Sequence, residues 1–227
     1  MPAEGIVDID RPPDIVVIAG GAAVDAARVA TVGPATRVIA ADAGVHAAEV
    51  LGWSVDVAVG DFDSLAPGDV DRLDELAGDV RRHPRDKDAT DLELALDAAA
   101  ESAPARVLVA GIEGGRPDHA LANLLAPAST RFSALDIELV VEGGRAWVVR
   151  DQLAGDLAPG TVVSVIPVHG AAEVSLTGVR WPLDHQLLEA GTTWGVSNEI
   201  SAPPSFSLDV HAGVVICITP RTTEVQP

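Results

Sequence analysis

The segment Val55-Asp56-Val57-Ala58-Val59-Gly60-Asp61-Phe62-Asp63-Ser64 decides the fold. Its opening run is apolar apart from Asp56, and it is too short for a core helix. It has the length and composition of a strand buried on both faces. It stops at a glycine and two carboxylates one residue apart. The same grammar recurs along the first half of the chain. Asp14 to Ala19 (DIVVIA) runs into Gly20-Gly21, and Arg37 to Ala41 (RVIAA) runs into Asp42 ahead of a helix-like Val45 to Leu51. Arg106 to Ile112 (RVLVAGI) runs into Glu113-Gly114-Gly115-Arg116, and a Leu- and Ala-rich stretch, Asp91 to Glu101, precedes it. Apolar strands separated by helices predict an α/β unit, a Rossmann-like, mostly parallel sheet with helices on both faces. Ligands collect at the carboxyl ends of such strands. Because each of these strands ends in Gly, Asp or Arg, that edge is the candidate active site.

After about Ser133 the pattern changes. Ile137 to Val141, a Gly143-Gly144 turn and Arg145 to Arg150 read as a hairpin, followed by strand-like Thr161 to Val168, Ala172 to Leu176 and Leu208 to Thr219. Short strands without intervening helices predict an all-β C-terminal β-sandwich. The expected division is therefore an α/β catalytic domain over 1–133 and a β-sandwich domain over 134–227, with Arg221 to Pro227 a loose tail.

Composition narrows the function. The chain has 227 residues, 48% of them hydrophobic, and a formal net charge of -19. With a pI near 4.4 it lacks the clustered Lys and Arg that grip a phosphate backbone, so no nucleic-acid partner is expected. No apolar run reaches membrane-spanning length and the start lacks signal-peptide order, so neither a membrane partner nor export is expected and the location is read as cytoplasmic. Cys217, the single cysteine, sits in Val214-Val215-Ile216-Cys217-Ile218 and reads as a small buried thiol. So acidic a protein needs a metal ion to hold a polyanion. Its one lysine, Lys87, stands among fourteen arginines.

Four stretches carry chemistry. Asp61 and Asp63, two apart in an extended segment, present both carboxylates on one side with Phe62 turned into the core; they suit magnesium, or else form a polar turn. In Asp86-Lys87-Asp88-Ala89-Thr90-Asp91-Leu92-Glu93, Thr90 and Glu93 form a capping box, so a helix begins at Asp91 with its positive end open to anions. Asp91 is either a first-turn acid or a further metal ligand. Lys87 is either a point-charge phosphate contact or a partner of Asp86 or Asp88. In Gly114-Gly115-Arg116-Pro117-Asp118-His119 the glycines allow close approach to phosphates, Pro117 opens a helix, and His119 and Asn123 share a helical face; the alternative is a plain cap. Gly20-Gly21 reads as a phosphate-approaching turn or as a turn alone. Finally, Ser197 and Asn198 offer groups able to read a heterocycle, and Trp194 or Trp181 a stacking face, while tryptophans and strand-edge polar groups also occur without ligands.

Together, Ala41-Asp42-Ala43-Gly44, Gly60 to Ser64, Asp86 to Asp91, Gly114 to His119 with Asn123, and Ser197-Asn198-Glu199 resemble the ordered motif set of the thiamine pyrophosphokinase (thiamine diphosphokinase) family, from Asp42 to Glu199. The resemblance implies an ATP-dependent transfer of pyrophosphate to the thiamine hydroxyl, giving thiamine diphosphate and AMP with Mg2+, in a homodimer whose active sites lie near the subunit interface. It implies catalytic roles for Asp42, Asp61, Asp63 and Asp91, with Asp61, Asp63 and Asp91 on the metal. Gly20, Gly21, Lys87, Asp88, Thr90, Gly115, Arg116, Asp118, His119 and Asn123 would serve nucleotide and phosphates. Ser197, Asn198, Glu199 and Trp194 would serve thiamine. Two positions depart from the pattern: Ala43 stands where the family usually has glycine, and Pro117 where an aliphatic residue is commoner. The rival readings are a pyrophosphokinase for another hydroxymethyl heterocycle such as a pterin, and a non-catalytic sensor of thiamine or nucleotide.

Overall fold

The computed structural model describes residues 6–9, 11–21, 24, 29, 36–114, 116–141, 143–202 and 205–220. In chain order the strands are β1 (Ile6–Asp8), β2 (Ile15–Ile18), β3 (Arg37–Ala41), β4 (Val55–Gly60), β5 (Ala77–Arg82), β6 (Ala105–Ala110), β7 (Leu135–Val141) and β8 (Gly144–Val149). They continue as β9 (Gln152–Asp156), β10 (Val162–Pro167), β11 (Ala172–Thr177), β12 (Leu183–Leu188), β13 (Asn198–Glu199), β14 (Ser205–Ala212) and β15 (Val215–Pro220). The helices are α1 (Gly44–Val50), α2 (Pro67–Val70), α3 (Leu73–Leu76), α4 (Asp91–Ala100) and α5 (Pro117–Leu125). The chain forms two compact units, one running from Pro12 to Val141 and the other combining the residues up to Arg11 with those after Val141.

In the first unit the strands lie in the order β7-β6-β2-β3-β4-β5, every neighbouring pair parallel. β2 and β6 are buried along their whole length, as continuous apolar runs require in a sheet covered on both sides. Val16, Ile18, Val38, Ala40 and Ala58 share a core cluster with Val45 and Ala48 of α1. The alternate residues Ile15, Val17, Ile39 and Val57 are buried as well, so the opposite face is also covered. α4 lies against β2, β3, β4 and β6 with Leu92, Ala95 and Leu96 buried. β5 has no apolar run to announce it. It is an edge strand, AGDVRR, only half-buried, held by its parallel register with β4 (Val57↔Asp79, Val59↔Arg81).

The second unit holds β-structure and no α-helix among its described residues. One sheet has the order β1-β9-β14-β11-β12 and the other includes β13-β10-β15-β8. Inward residues of both, among them Trp147, Leu153, Val165, Val174, Leu208 and Cys217, form a single core cluster. Leu208 to Thr219 is two strands. Gly213 turns the chain with φ +84, where a Cβ would stand 2.6 Å from the Ala171 carbonyl, so β14 and β15 enter different sheets.

The compact units divide the chain at Val141 and not after 133, and they assign the first residues to the C-terminal unit. The reason lies in pairing. β7 matches the strand pattern of the second half, yet it adds to the parallel sheet through Ala105↔Leu135 and Val107↔Ile137. β1 pairs in parallel with β9 (Ile6↔Gln152), a partner far along the chain. Arg221 to Pro227 lies outside the described residues.

Candidate active site

A cleft of about 400 Å³ opens at the carboxyl edge of the parallel sheet, lined by the ends of β2 and β3, the loop after β5 and the first turn of α4. Four segments converge there. β3 ends at Ala41, and the Asp42 N–H continues the ladder to the Val59 carbonyl at 2.9 Å while its own backbone is left-handed (φ 48). β4 ends at Gly60, where a Cβ would lie 3.1 Å from Asp91 Oδ1 and 3.3 Å from the Asp42 Cα. A side chain at this position would therefore crowd both acidic residues. β5 delivers the loop carrying Arg85 and Lys87, anchored by the His83 N–H to the Gly60 carbonyl at 2.8 Å. α4 begins at Asp91 with the expected capping box: the Glu93 N–H donates to Thr90 Oγ1 at 3.2 Å, and the Thr90 N–H donates to Glu93 Oε2 at 2.9 Å.

The turn after β4 is not extended. Phe62 takes φ 58 to bury its ring in the core cluster, and the Asp63 N–H donates to Asp61 Oδ1 at 3.1 Å. Asp61 and Asp63 consequently take different partners. Asp61 faces Lys87, whose Nζ donates to Asp61 Oδ2 at 2.8 Å and stands 3.0 Å from Asp91 Oδ1. Asp63 instead meets Arg85, Nε to Oδ2 at 3.2 Å. Asp42 joins through Ser64, whose hydroxyl donates to Oδ2 at 2.6 Å.

Lys87 and Asp61 are 13% and 14% exposed, so their charges are poorly screened. The Lys87 hydrogen bond, assisted by the Asp63 N–H, holds the Asp61 carboxyl below its ordinary value. Burial works against the Lys87 ammonium, but its bonds to Asp61 and Asp91 outweigh that and raise its pKa. Asp91 shares this ammonium and shifts the other way. It is the more deeply desolvated carboxyl, and the negative charges of Asp42 and Asp61 add to the rise.

The donor set fits a hard divalent cation. It consists of carboxylate oxygens, and the Lys87 ammonium already bridges Asp61 and Asp91 as a positive charge would. Asp42 Oδ1 is buried without a hydrogen-bond partner, and Asp91 Oδ1 has only the Lys87 ammonium at 3.0 Å. Among the described residues, no three His, Cys, Asp or Glu side chains are gathered closely enough to chelate by themselves. A cation here would need phosphate oxygens or water to complete its shell.

The remaining sequence candidates distribute unevenly. Gly20 and Gly21 line the cleft, and both positions exclude a side chain. A Cβ on Gly21 would meet the Glu113 carbonyl oxygen at 2.2 Å, and one on Gly20 would meet Ala43 Cβ at 3.0 Å. Glycine at 20 is thus what accommodates alanine at 43. Thr90, Arg116, His119 and Asn123 also line the cleft; Asn123 Nδ2 donates to the Ile112 carbonyl at 3.0 Å, tying α5 to the loop after β6. Pro117 opens α5 as expected. Arg116 and Asp118 bind each other through Nε (3.1 Å) and Nη2 (2.5 Å), which holds the Asp118 carboxyl down to about 2. Asp88 is exposed and outside the lining, and Gly115 lies outside the described residues. Arg85 was not among the sequence candidates. Its signal was a second cation two residues before Lys87 in an otherwise acidic stretch.

The candidates in the C-terminal unit serve different ends. The Asn198 amide is buried and fully engaged with backbone: the Trp181 N–H donates to Oδ1 at 3.1 Å and Nδ2 donates to the Trp181 carbonyl at 2.6 Å. Ser197 is exposed in a left-handed conformation (φ 61), with its N–H on Ser164 Oγ. Glu199 pairs with Arg180, whose guanidinium covers the Trp181 ring at 4.8 Å. Trp194 is 68% exposed and free to stack.

Comparison with known proteins agrees with this geometry. Residues 31–139 match the model of the thiamin pyrophosphokinase catalytic domain, and residues 152–215 that of the thiamin pyrophosphokinase vitamin B1 binding domain. The thiamine pyrophosphokinase of Bacillus subtilis is 31% identical over 177 residues, 74% of this chain and 78% of the relative. Its crystal structure superposes with a TM-score of 0.77 at 28% identity, covering 91% of this chain and 98% of that one. The thiamin pyrophosphokinase of Geobacillus thermodenitrificans gives a TM-score of 0.78 at 28% identity, covering 93% and 99%. With both domain models matched in order and the acidic residues of the cleft lying within the catalytic match, the chain belongs to the thiamine pyrophosphokinase family.

Proposed function

We propose that the chain is an ATP-dependent thiamine pyrophosphokinase, moving a pyrophosphoryl group from ATP to the hydroxyl of thiamine and releasing thiamine diphosphate and AMP. The observation that carries this reading is the cleft at the parallel-sheet edge, where Asp61 and Asp91 share Lys87, with Asp42 close to Asp91, at the N-terminus of a capped helix. The match of the second unit to the vitamin B1 binding domain favours thiamine over a pterin. The first unit is read as a Rossmann-like catalytic domain and the second as a β-sandwich that binds thiamine. A cytoplasmic homodimer belongs to the same reading.

The polyphosphate enters against Gly20 and Gly21, whose lack of side chains permits close backbone approach, and against the free amides of α4. Lys87 and Arg116 face it as cations. Asp61, Asp63 and Asp91, with Asp42 beside them, would hold Mg2+, which when bound would neutralise phosphate charge. Asp42 has one oxygen on Ser64 and the other unpartnered, so it is the carboxylate placed to accept the thiamine hydroxyl proton. The hydroxyl oxygen bonds to the β-phosphorus as the bond to the AMP oxygen breaks, and catalysis comes from positioning and charge neutralisation. Ser197 and Trp194 are the exposed groups able to meet the heterocycle.

The test is direct. Purified protein with ATP and Mg2+ is offered thiamine or a hydroxymethylpterin, and AMP and diphosphorylated product are quantified. AMP formed in equal amount to thiamine diphosphate is expected. Thiamine bound without turnover, or turnover with the pterin alone, would overturn the reading.

A further inference from the structure

We propose that Arg85 is a polyphosphate ligand of the cleft, held against Asp63 until the outer phosphates of a nucleoside triphosphate take its guanidinium. The inference rests on the pyrophosphokinase reading above and goes beyond it in assigning a residue outside the expected phosphate set. Among the described residues, the Lys and Arg side chains that line the cleft are Arg85, Lys87 and Arg116, and each is paired with carboxylate. The pairs differ in what they leave available. Lys87 is enclosed between two half-buried acids. Arg116 spends Nε and Nη2, one edge of its fork, on both oxygens of Asp118. Arg85 approaches Asp63 most closely through Nε, at 3.2 Å, and its side chain is 81% exposed. Its terminal nitrogens keep donors in the planar arrangement that suits two phosphate oxygens. A single, solvent-screened ion pair is also the weakest of the three and the easiest to exchange.

The partner of Arg85 indicates which phosphates it meets. Asp63 belongs to the carboxylate group that would carry the cation, so the phosphates Arg85 meets are those whose charge the cation would neutralise. When nucleotide and cation arrive together, each half of the Arg85–Asp63 pair finds a new partner of opposite sign. No charge is left bare at either stage. In a chain with a net charge of -19, this cross-pairing offsets part of the negative charge of the ligand-free cleft.

The experiment measures dissociation constants of ATP and AMP by calorimetry for the full chain, for Arg85→Met and for Arg85→Lys, with Mg2+ and again with EDTA. Loss of a charge-assisted contact predicts that Arg85→Met weakens ATP by about tenfold or more. AMP should stay within twofold, Arg85→Lys should recover part of the loss, and the ATP effect should persist in EDTA. ATP affinity of Arg85→Met within twofold of wild type, or ATP and AMP weakened equally, would overturn the assignment. An effect that vanishes in EDTA would also overturn it, because Arg85 would then act only through Asp63. If wild type makes thiamine diphosphate while Arg85→Met binds ATP normally, this inference alone fails. If wild type neither binds ATP nor turns thiamine over, the pyrophosphokinase reading fails and takes the inference with it.

Discussion

The acidic edge of the parallel sheet and the Asn198 corner of the antiparallel unit are both built from Asp, Asn and Ser, and they use these residues in opposite ways. At the sheet edge the polar groups hold one another. Lys87 is shared by Asp61 and Asp91, and Ser64 binds Asp42. At the corner a single buried amide holds backbone, bracketing the N–H and carbonyl of Trp181. Side chain to side chain contacts can be exchanged for those of a ligand. Asn198 has no such freedom, because releasing it would break its hydrogen bonds to both polar groups of the Trp181 backbone. The difference teaches that a polar residue in a motif is a candidate ligand only when its own partners are exchangeable.

The strongest way to break this comparison is Lys87→Met. Removing the ammonium leaves Asp61 and Asp91 facing each other in a poorly solvated site, at a cost on the order of 3 kcal/mol. Turnover should fall by about 100-fold or more as the charge that faces phosphate disappears. Urea midpoints and initial rates measure the two effects. Magnesium should then raise the midpoint of the variant more than that of wild type, because a cation replaces the missing one and binds only the folded state. Equal responses to magnesium would show that the carboxylates do not form a cation site.

Asn198→Ala tests the other side. It removes the hydrogen bonds to the Trp181 N–H and carbonyl, and a loss of about 2 kcal/mol is expected at about 1 kcal/mol for each. The Michaelis constant for thiamine should rise as the Trp181 loop loosens, while ATP affinity stays unchanged. Should ATP affinity fall with it, the amide would be doing more than holding backbone. Thr90→Ala is a smaller perturbation at the sheet edge. It removes the capping box of α4 and should cost about 1 kcal/mol, read from the thermal midpoint.

The same contrast explains what the sequence made legible. The parallel strands were readable because full burial on two faces demands continuous apolar runs, and the start of α4 because Thr90 and Glu93 form a local motif. The polar edge strand β5 was not, since its register comes from β4 and not from its own residues. β7 and β1 were misjudged or missed for a related reason, as nothing local to either records which sheet it joins. At the site, the converging segments were legible by composition, but the partners within them were not. Burying the ring of Phe62 put a left-handed turn between Asp61 and Asp63, and that turn sends one carboxylate to Lys87 and the other to Arg85.

The smallest expected effect is the absence of a reaction. Cys217 is fully buried in the core of the antiparallel unit, and desolvation pushes its thiol up to about 12. The reactive species is the thiolate, which is scarce at pH 8 for such a group, so native protein should resist a thiol reagent for hours. A thiol with a raised folded pKa contributes stability that is intact below its ordinary value of 9.0 and is lost as pH rises through the folded value near 12. Below pH 9.0, labelling therefore reports opening of this unit and not ionisation in place. Asn198→Ala weakens the unit that contains Cys217 and should speed labelling, whereas Thr90→Ala acts in the parallel unit and should leave it unchanged. Acceleration by both variants would mean that the two units open as one, and the contrast between an exchangeable edge and a fixed corner would then hold for their chemistry but not for their stability.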